Sequence, residues 1–592
     1  MTDEQQAAAR RSSFNALRSL RDTGSIEVPE LSENRLRDLM TFIAGDAAEA
    51  YLPLLKHEID IPAGVGSPSW SKTSMDEGRP FRVAIIGAGM SGLAAAYRLQ
   101  EAGVECEVFE KNPEVGGTWY ENRYPGCQLD TSNFAYSFSF LQTGRWTHQY
   151  SRRDAIFAYF RDASEQLGLR PLITFDTAVE AARYRSGTHD WEVRTRSVDG
   201  TRRVKTFNAV ISAVGQLNTP LVPEFPHAER FRGTTVHTAR WDDDLDLAGK
   251  RVAVIGTGAS AFQLIPAIAD SVEELFVFQR NAPWMYPTPN YHDAIPEACQ
   301  WLFDVLPLYH RWFRFFQFWT SVEGRRRFVT VDPEWDRPGS VSAANESMRV
   351  ALTDYLAEQF GDRPDLLEHV IPHYPPGAKR LLRDDGAWAS TLKRPDVHLV
   401  SDQITEFTET GIRTEDGTHV DVDVIVYGTG FRASEFLESV VVTGEDDLTL
   451  AEYWAGDARA YLGITVPKFP NLFCLYGPNT NVVVNGSIVL LSELGVDYIL
   501  DSLRHLLSEG HDAMRVREEP FIAYNQRIDR ANSGMAWGAS AVSSWYKNSR
   551  GRVSQNWPLP LLDYWNLTRA VRADDYDFLD ARATVDVGGT RR

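Results

Sequence analysis

Short apolar runs that end in glycine recur along this chain and set its framework. Val83 to Ile86 runs into Gly87-Ala88-Gly89-Met90-Ser91-Gly92, and Val252 to Ile255 runs into Gly256-Thr257-Gly258-Ala259-Ser260-Ala261. Uninterrupted apolar runs of this length, bounded by glycine, predict buried strands. Helical periodicity follows each loop, and then a second apolar run, ending before Glu110 in one case and spanning Leu275 to Phe278 in the other. Residues 172–214 alternate like strands and finish in the apolar run Ala209 to Val214 before Gly215. A strand at His398 to Val400, a hairpin around Gly411 and Gly417, and a strand Val422 to Tyr427 leading into Gly428-Thr429-Gly430-Phe431 complete the β pattern. The glycine-terminated runs at Gly215 and Gly430 each lie downstream of one glycine loop. The predicted fold class is therefore α/β, with two nested Rossmann-like dinucleotide-binding domains joined by two strands.

Helical periodicity fills the rest. Leu36, Leu39, Met40, Ile43 and Ala47 mark one face of a helix, with Ser32 as its N-cap and Arg35 where a capping box has an acid. The Gly, Ser and Pro of residues 62–80 read as a linker. Residues 290–370 are helical in pattern and rich in Trp and Phe. The stretch Trp301 to Thr320 is apolar but carries Asp304, Pro307, His310, Arg311 and Arg314, which favours a buried or interface helix over a membrane span. The expected organisation is a helical N-terminal extension and linker (1–75), the first part of one nucleotide-binding domain (76–219) and a second nucleotide-binding domain (220–428) with a helical insertion (285–370). The second part of the first domain with a cofactor-closing loop (429–565) and a tail (566–592) complete it. The extension must bury its apolar stripe either on its own domain or on a second subunit, as in a homodimer.

Of the 592 residues, 43% are hydrophobic and 24% charged, as in a globular protein, and the formal charge is −20. That balance disfavours nucleic acid and anionic membranes as partners. The four cysteines, Cys106, Cys127, Cys299 and Cys474, are too scattered for a C-x-x-C site, so no metal site is expected and a cytoplasmic location is the simple reading.

The glycine loops carry the candidate chemistry. Gly87 permits the tight turn, Gly89 the approach of a pyrophosphate, and Gly92 close helix–strand packing. Glu110 stands where an acid grips ribose hydroxyls and would repel a 2′-phosphate, so this site suits FAD or NAD. In the second loop, Gly256 and Gly258 are followed by Ala261, an accepted variant. There Arg280 replaces the acid and can fork onto a 2′-phosphate, which assigns NADPH. Downstream of the first loop, Gly116-Gly117-Thr118-Trp119 resembles the second phosphate and flavin contact of two-nucleotide flavoproteins, which favours FAD at the first site.

Between the loops lies F-x-G-x-x-x-H-x-x-x-W-D, formed by Phe231, Gly233, His237, Trp241 and Asp242. It resembles the fingerprint of type I Baeyer–Villiger monooxygenases. A second family pattern is matched by Gly117, Trp119, Tyr124, Pro125, Gly126 and Asp130, and both glycine loops stand in the family order. The resemblance covers about residues 80–560. It implies that NADPH reduces FAD and that the reduced flavin takes up O₂, one atom of which is inserted beside a ketone carbonyl to give an ester or lactone. It further implies that Arg380 stabilises the flavin-bound oxygen and the carbonyl adduct, that Asp130 holds Arg380, and that Lys379 joins Arg280 on the 2′-phosphate. Thr118, Trp119 and Tyr124 would contact cofactor, Trp545 would belong to a loop closing over NADPH, and His237 would be a conformational element and not a base. Gly428 stands where the family usually has Ala. The extension resembles that of the 4-hydroxyacetophenone monooxygenase branch, which points to a bulky aryl, polycyclic or terpenoid ketone. A nitrogen- or sulfur-oxidising flavin monooxygenase is the alternative; a flavin reductase or a non-catalytic binding protein fits the residues less well.

Overall fold

The computed structural model describes residues 2–24, 31–306, 308–321, 323–484 and 486–580. Two five-stranded parallel sheets form its frame. The first runs in the order Leu472–Cys474, Ala209–Ser212, Arg82–Ile86, Glu105–Phe109, Ile173–Thr174. The second runs Val397–Val400, Glu274–Phe278, Arg251–Ile255, Val424–Tyr427, Thr234–His237. The edge strand Leu472–Cys474 follows the whole second sheet in sequence, so the second nucleotide fold is inserted in the first. Val83, Ala84, Ile85, Val252, Ala253 and Val254 are fully buried, because each sheet is covered on both faces, by helices on one and by antiparallel strands on the other.

The apolar runs overshoot the strands. The run to Val214 is ladder-paired only to Ser212, and Val422 precedes the strand that starts at Val424. Runs continue past the ladder because the chain stays buried where it leaves the sheet. The expected hairpin is a three-stranded antiparallel unit, Ile404–Phe407, Gly411–Thr414 and His419–Asp421.

The stretch Trp301 to Thr320 is two helices, Glu297–Val305 and Tyr309–Ser321. Pro307, itself outside the described residues, offers no N–H to a continuous helix, and Leu308 takes a left-handed conformation at φ 61°. Phe315 and Phe318 are fully buried, whereas Trp301 is 48% exposed.

In the extension, Ser32 caps Glu33–Ala44 by accepting from the Arg35 N–H at 3.3 Å. Leu36 and Met40 are buried. The helix stops at Gly45, so Ala47 falls in the following 3₁₀ turn instead of on the helical face. The next helix, Ala48–Ile59, packs against Tyr309–Ser321 and Leu561–Thr568. The extension is therefore anchored to the insertion and to the C-terminal region of its own chain. Past residue 566, the strand Tyr576–Leu579 pairs antiparallel with Ala513–Val516. Among the described residues, no helix is long and apolar enough to cross a membrane.

Candidate active site: two clefts and the guanidinium between them

In the first site, the helix Met90–Glu101 begins at Gly89, which supplies no capping side chain. Its first-turn N–H groups are free for an anion. A Cβ on Gly92 would lie 1.9 Å from the Gly87 carbonyl oxygen, so only glycine lets helix and strand approach this closely. Glu110 is buried, with Oε2 accepting from Ala88 N at 2.7 Å and Oε1 from Asn112 N at 2.9 Å. Burial raises its pKa, while those N–H donors favour the carboxylate. The residue predicted to grip ribose thus also braces the glycine loop from beneath. Gly116 N donates to Ala88 O at 3.1 Å, which brings Gly117 against Gly89. Thr118 is exposed at the start of a short helix, and Trp119 is buried, its Nε1 donating to Tyr136 Oη at 3.1 Å.

Tyr124 has another place. It is buried, and its hydroxyl donates at 2.8 Å to Oε1 of Gln263, on the helix that follows the second glycine loop. Gln263 Nε2 in turn donates to Gln128 O and to Tyr291 Oη. The turn Tyr124-Pro125-Gly126 therefore docks one nucleotide domain onto the other.

In the second site, the helix Ala259–Ile268 likewise starts at an uncapped glycine, Gly258. The departure at Gly428 has a steric cause. A Cβ there would meet the Cβ of Ala261 at 2.7 Å. Alanine at the third loop position and glycine at the strand end are complementary in size. Arg280 is exposed and lines a cavity of about 530 Å³ with Gln279, Asn281, His369, Tyr374 and Val542. Lys379 Nζ donates to Asn281 Oδ1 at 3.1 Å. Burial first, and then the charge of Arg280, push the Lys379 ammonium down to about 8. Two cations that disfavour each other beside a cavity suit a dianion, as a 2′-phosphate is.

The adjacent residue faces the other way. Arg380 makes a bidentate pair with Asp130, Nε donating to Oδ2 at 2.7 Å and Nη2 to Oδ1. The Arg380 side chain keeps 41% of its accessibility, and Asp130 keeps 14%. The Asp130 charge raises the guanidinium pKa further, so it stays a cation. Nη1 has no partner among the described residues and remains a free donor. Arg383 Nε donates to Asp130 O at 2.6 Å and fixes the backbone beneath the pair. Tyr136, Tyr476 and Tyr546 lie within electrostatic reach of the pair. The motifs did not flag these tyrosines or Gln263. The available signals were the place of Tyr476 just past the strand end at Cys474 and of Tyr546 beside Trp545. Trp545 is half-buried with its ring 4.8 Å from that of Tyr546, while Val542 of the same segment lines the Arg280 cavity.

The residues of the fingerprint are held by packing and by local hydrogen bonds. Phe231 packs edge-on to Phe407 at 6.5 Å. A Cβ on Gly233 would lie 2.3 Å from Asp423 O. His237 is buried, and its Nδ1 accepts from Ala239 N at 3.0 Å, which puts the proton on Nε2, towards Gly430. Burial lowers its pKa. Asp242 accepts from Asp244 N in a turn. His237 thereby sits where the two crossover segments pair, Leu221 N donating to Gly430 O and Arg432 N to Thr219 O, both at 2.9 Å.

Two glycine-loop clefts on nested domains, with a fixed guanidinium where they meet, define a two-nucleotide oxidoreductase. Residues 80–289 match the flavin-binding monooxygenase-like (FMO-like) family. The chain is 36% identical over 97% of its length to an uncharacterized monooxygenase, y4iD, of Sinorhizobium fredii, covering 86% of that protein. It is 35% identical over 84% of its length to a Baeyer–Villiger monooxygenase of Streptomyces coelicolor, covering 92% of it. A crystal structure of OTEMO in complex with FAD and NADP superposes with a TM-score of 0.72 at 26% identity, over 86% of this chain and all of that one. The chain belongs to the flavin-binding monooxygenase-like family, among relatives that include Baeyer–Villiger monooxygenases.

Proposed function

We infer that the chain is an NADPH-dependent flavin monooxygenase of the Baeyer–Villiger type, inserting one oxygen atom of O₂ next to a ketone carbonyl. The observation that carries this reading is the Arg380–Asp130 pair at the junction of the two clefts. The cradle at Gly92 and the uncapped helix starts at Gly89 and Gly258 fit two dinucleotides, FAD in the first cleft and NADPH in the second. Bound FAD supplies the redox centre that NADPH reduces and at which O₂ is activated.

The protein's own share is electrostatic. Asp130 takes Nε and Nη2 of Arg380 and leaves Nη1 to donate to an anionic oxygen. A guanidinium of raised pKa keeps its protons at any working pH, so it stabilises that anion without giving up a proton. Lys379 and Arg280 hold the 2′-phosphate, Glu110 the ribose of the flavin nucleotide, and the loop around Trp545 covers NADPH.

For the substrate we propose a bulky aryl, polycyclic or terpenoid ketone, as in the 4-hydroxyacetophenone branch. Support comes from the apolar wall where Val329, Met535, Trp537 and Tyr546 meet Val483, Val484 and Trp545. The extension serves as a homodimer contact: Asp3–Thr23 has no buried residue, and Phe14 on it is 65% exposed. Cytoplasmic residence fits the four free cysteines.

The test is a ketone panel, aryl against fused-ring, with NADPH and O₂ consumption and product mass. The expected product is heavier than the ketone by one oxygen atom. NADPH turnover with every ketone unchanged, and oxygenated products only from amines or sulfides, would replace this reading by the heteroatom-oxidising one.

A further inference from the structure

Three tyrosines lie within electrostatic reach of the Arg380–Asp130 pair, and their hydroxyls are not equivalent. Tyr476 donates its proton to Asn481 Oδ1 at 2.8 Å. Tyr136 accepts from Trp119 Nε1 at 3.1 Å, which pins its ring edge. Tyr546 is only 1% exposed, its hydroxyl makes no hydrogen bond to a described residue, and that oxygen is not sealed off, so the residue keeps its accessibility at the hydroxyl end. Its ring is sealed in the apolar cluster of Val329, Met535, Trp537 and Val553. Its main chain is fixed, since its carbonyl accepts from Ser554 N at 3.1 Å. A phenol whose ring is packed and whose hydroxyl is open and unpaired is free to donate to a ligand that arrives within reach of the cation–carboxylate pair.

The character of that partner follows from what surrounds it. The Asp130 oxygens are engaged by Arg380. Burial foremost, with Arg380 opposing and Asp130 assisting, leaves the Tyr546 phenol with a raised pKa, so it keeps its proton and acts as a donor, not a base. The residues packed around its ring are apolar, which suits a ligand with one polar atom.

We propose that the Tyr546 hydroxyl donates a hydrogen bond to the carbonyl oxygen of the bound ketone, so that it and Arg380 form a two-donor site for the charge that develops there. This rests on the ketone-oxidising reading above. Carbonyl attack moves an electron pair onto that oxygen, and both donors then bind it more tightly than in the ground state. Tyr546 forms and breaks no covalent bond. Its position also links the two ends of the closing segment, since Val542 lines the second nucleotide's cavity.

The experiment uses FAD-loaded protein and the variant Tyr546→Phe, which keeps the ring and removes only the hydroxyl. Three probes of one shape are compared, namely acetophenone (or the best aryl ketone of the panel), benzamide as a non-reacting carbonyl, and methyl phenyl sulfide, which has no carbonyl oxygen. The expected result is a fall of about tenfold or more in kcat/KM for the ketone. The benzamide Kd, read from the flavin absorbance change, should rise about fivefold to tenfold. Sulfide oxidation should stay within about twofold. Equal losses on ketone and sulfide would reduce Tyr546 to a packing residue, and no loss on either carbonyl probe would overturn the inference. Arg380→Ala separates the two levels. If that variant still makes ester at the parent rate, the site reading itself fails. If it loses ester while Tyr546→Phe does not, only the tyrosine's role is wrong.

Discussion

Lys379 and Arg380 divide the chemistry between them. The chain carries consecutive cations to different partners, Lys379 to Asn281 and Arg380 to Asp130, one softened and the other hardened by its neighbours. The Lys379 ammonium, pushed down to about 8 by burial and by Arg280, is at the edge of losing its charge under working conditions. A bound 2′-phosphate favours the protonated form, so NADPH affinity is fullest below pH 8 and falls as the pH rises through it. The expected outcome is a KM for NADPH that climbs by up to about tenfold per pH unit above 8, with NADH much less affected. Lys379→Arg should flatten that rise, because a guanidinium stays charged. A KM for NADPH independent of pH from 7 to 9.5 would remove Lys379 from the phosphate site. At this scale the sequence disclosed the ends of interactions better than their partners. Arg380 and Asp130 were both named from motifs, and their bidentate contact is what the fold adds. Tyr124 was read as a cofactor contact, yet its hydroxyl lies on Gln263 across the domain seam. That long-range pairing leaves no local signal, because it depends on how two domains meet.

Among the elements, the strands and glycine loops were the most legible, since burial on both faces demands uninterrupted apolar runs. Their ends were less so: past Ser212 the run continues to Val214, with Ala213 N still donating to Ile86 O at 2.9 Å, so apolar character does not mark where the ladder stops. The broken insertion helix shows the reverse: Pro307 stood in plain view, yet the stretch was read as one helix and not as two with separate faces. The pairing of Gly428 with Ala261 is a fact of contact between elements, one closing the strand Val424–Tyr427 and the other opening the helix Ala259–Ile268. Gly428→Ala should force the loop or helix to shift, at a cost of about 1–3 kcal/mol, read as a lower midpoint in thermal unfolding of the FAD-loaded protein. The double variant Gly428→Ala with Ala261→Gly should recover most of that loss. Additive losses in the double variant would show that the two positions do not share the space.

Across the whole molecule, nesting could be read from the order of two glycine-ended runs, but the seam that holds the extension could not. A buried charged cluster lies there. Glu58 is fully buried and pairs with Arg314 at 2.9 Å. His57 meets Asp497 at 3.3 Å, and Glu493 accepts from Ser139 N at 2.8 Å. Asp60 and Arg311 pair at 3.5 Å at its margin. Burial, chiefly, raises Glu58 to about 7, with Arg314 opposing and Glu493 assisting. Burial alone would lower His57, but Asp497, Glu493 and Glu58 outweigh it and raise it. Both groups therefore hold protons more tightly when folded, and the stability they contribute is present at low pH and lost as the pH rises. For Glu58 that window runs from about 4.5 to about 7. Glu58→Gln should remove about 1–3 kcal/mol of this pH dependence, seen as a flatter melting midpoint between pH 5 and 7.5 and slower proteolysis of the extension at pH 7.5. An unchanged slope would exclude the cluster as its source. All of these features serve one claim, that a guanidinium fixed by a carboxylate at the meeting of two nucleotide clefts is what turns reduced flavin and O₂ towards a ketone. The most direct measurement is stopped-flow and product analysis on FAD-loaded Arg380→Ala. NADPH should still bleach the flavin within about tenfold of the parent rate, while ester formation falls by about 10²-fold or more. Ester at the parent rate from that variant would contradict the account.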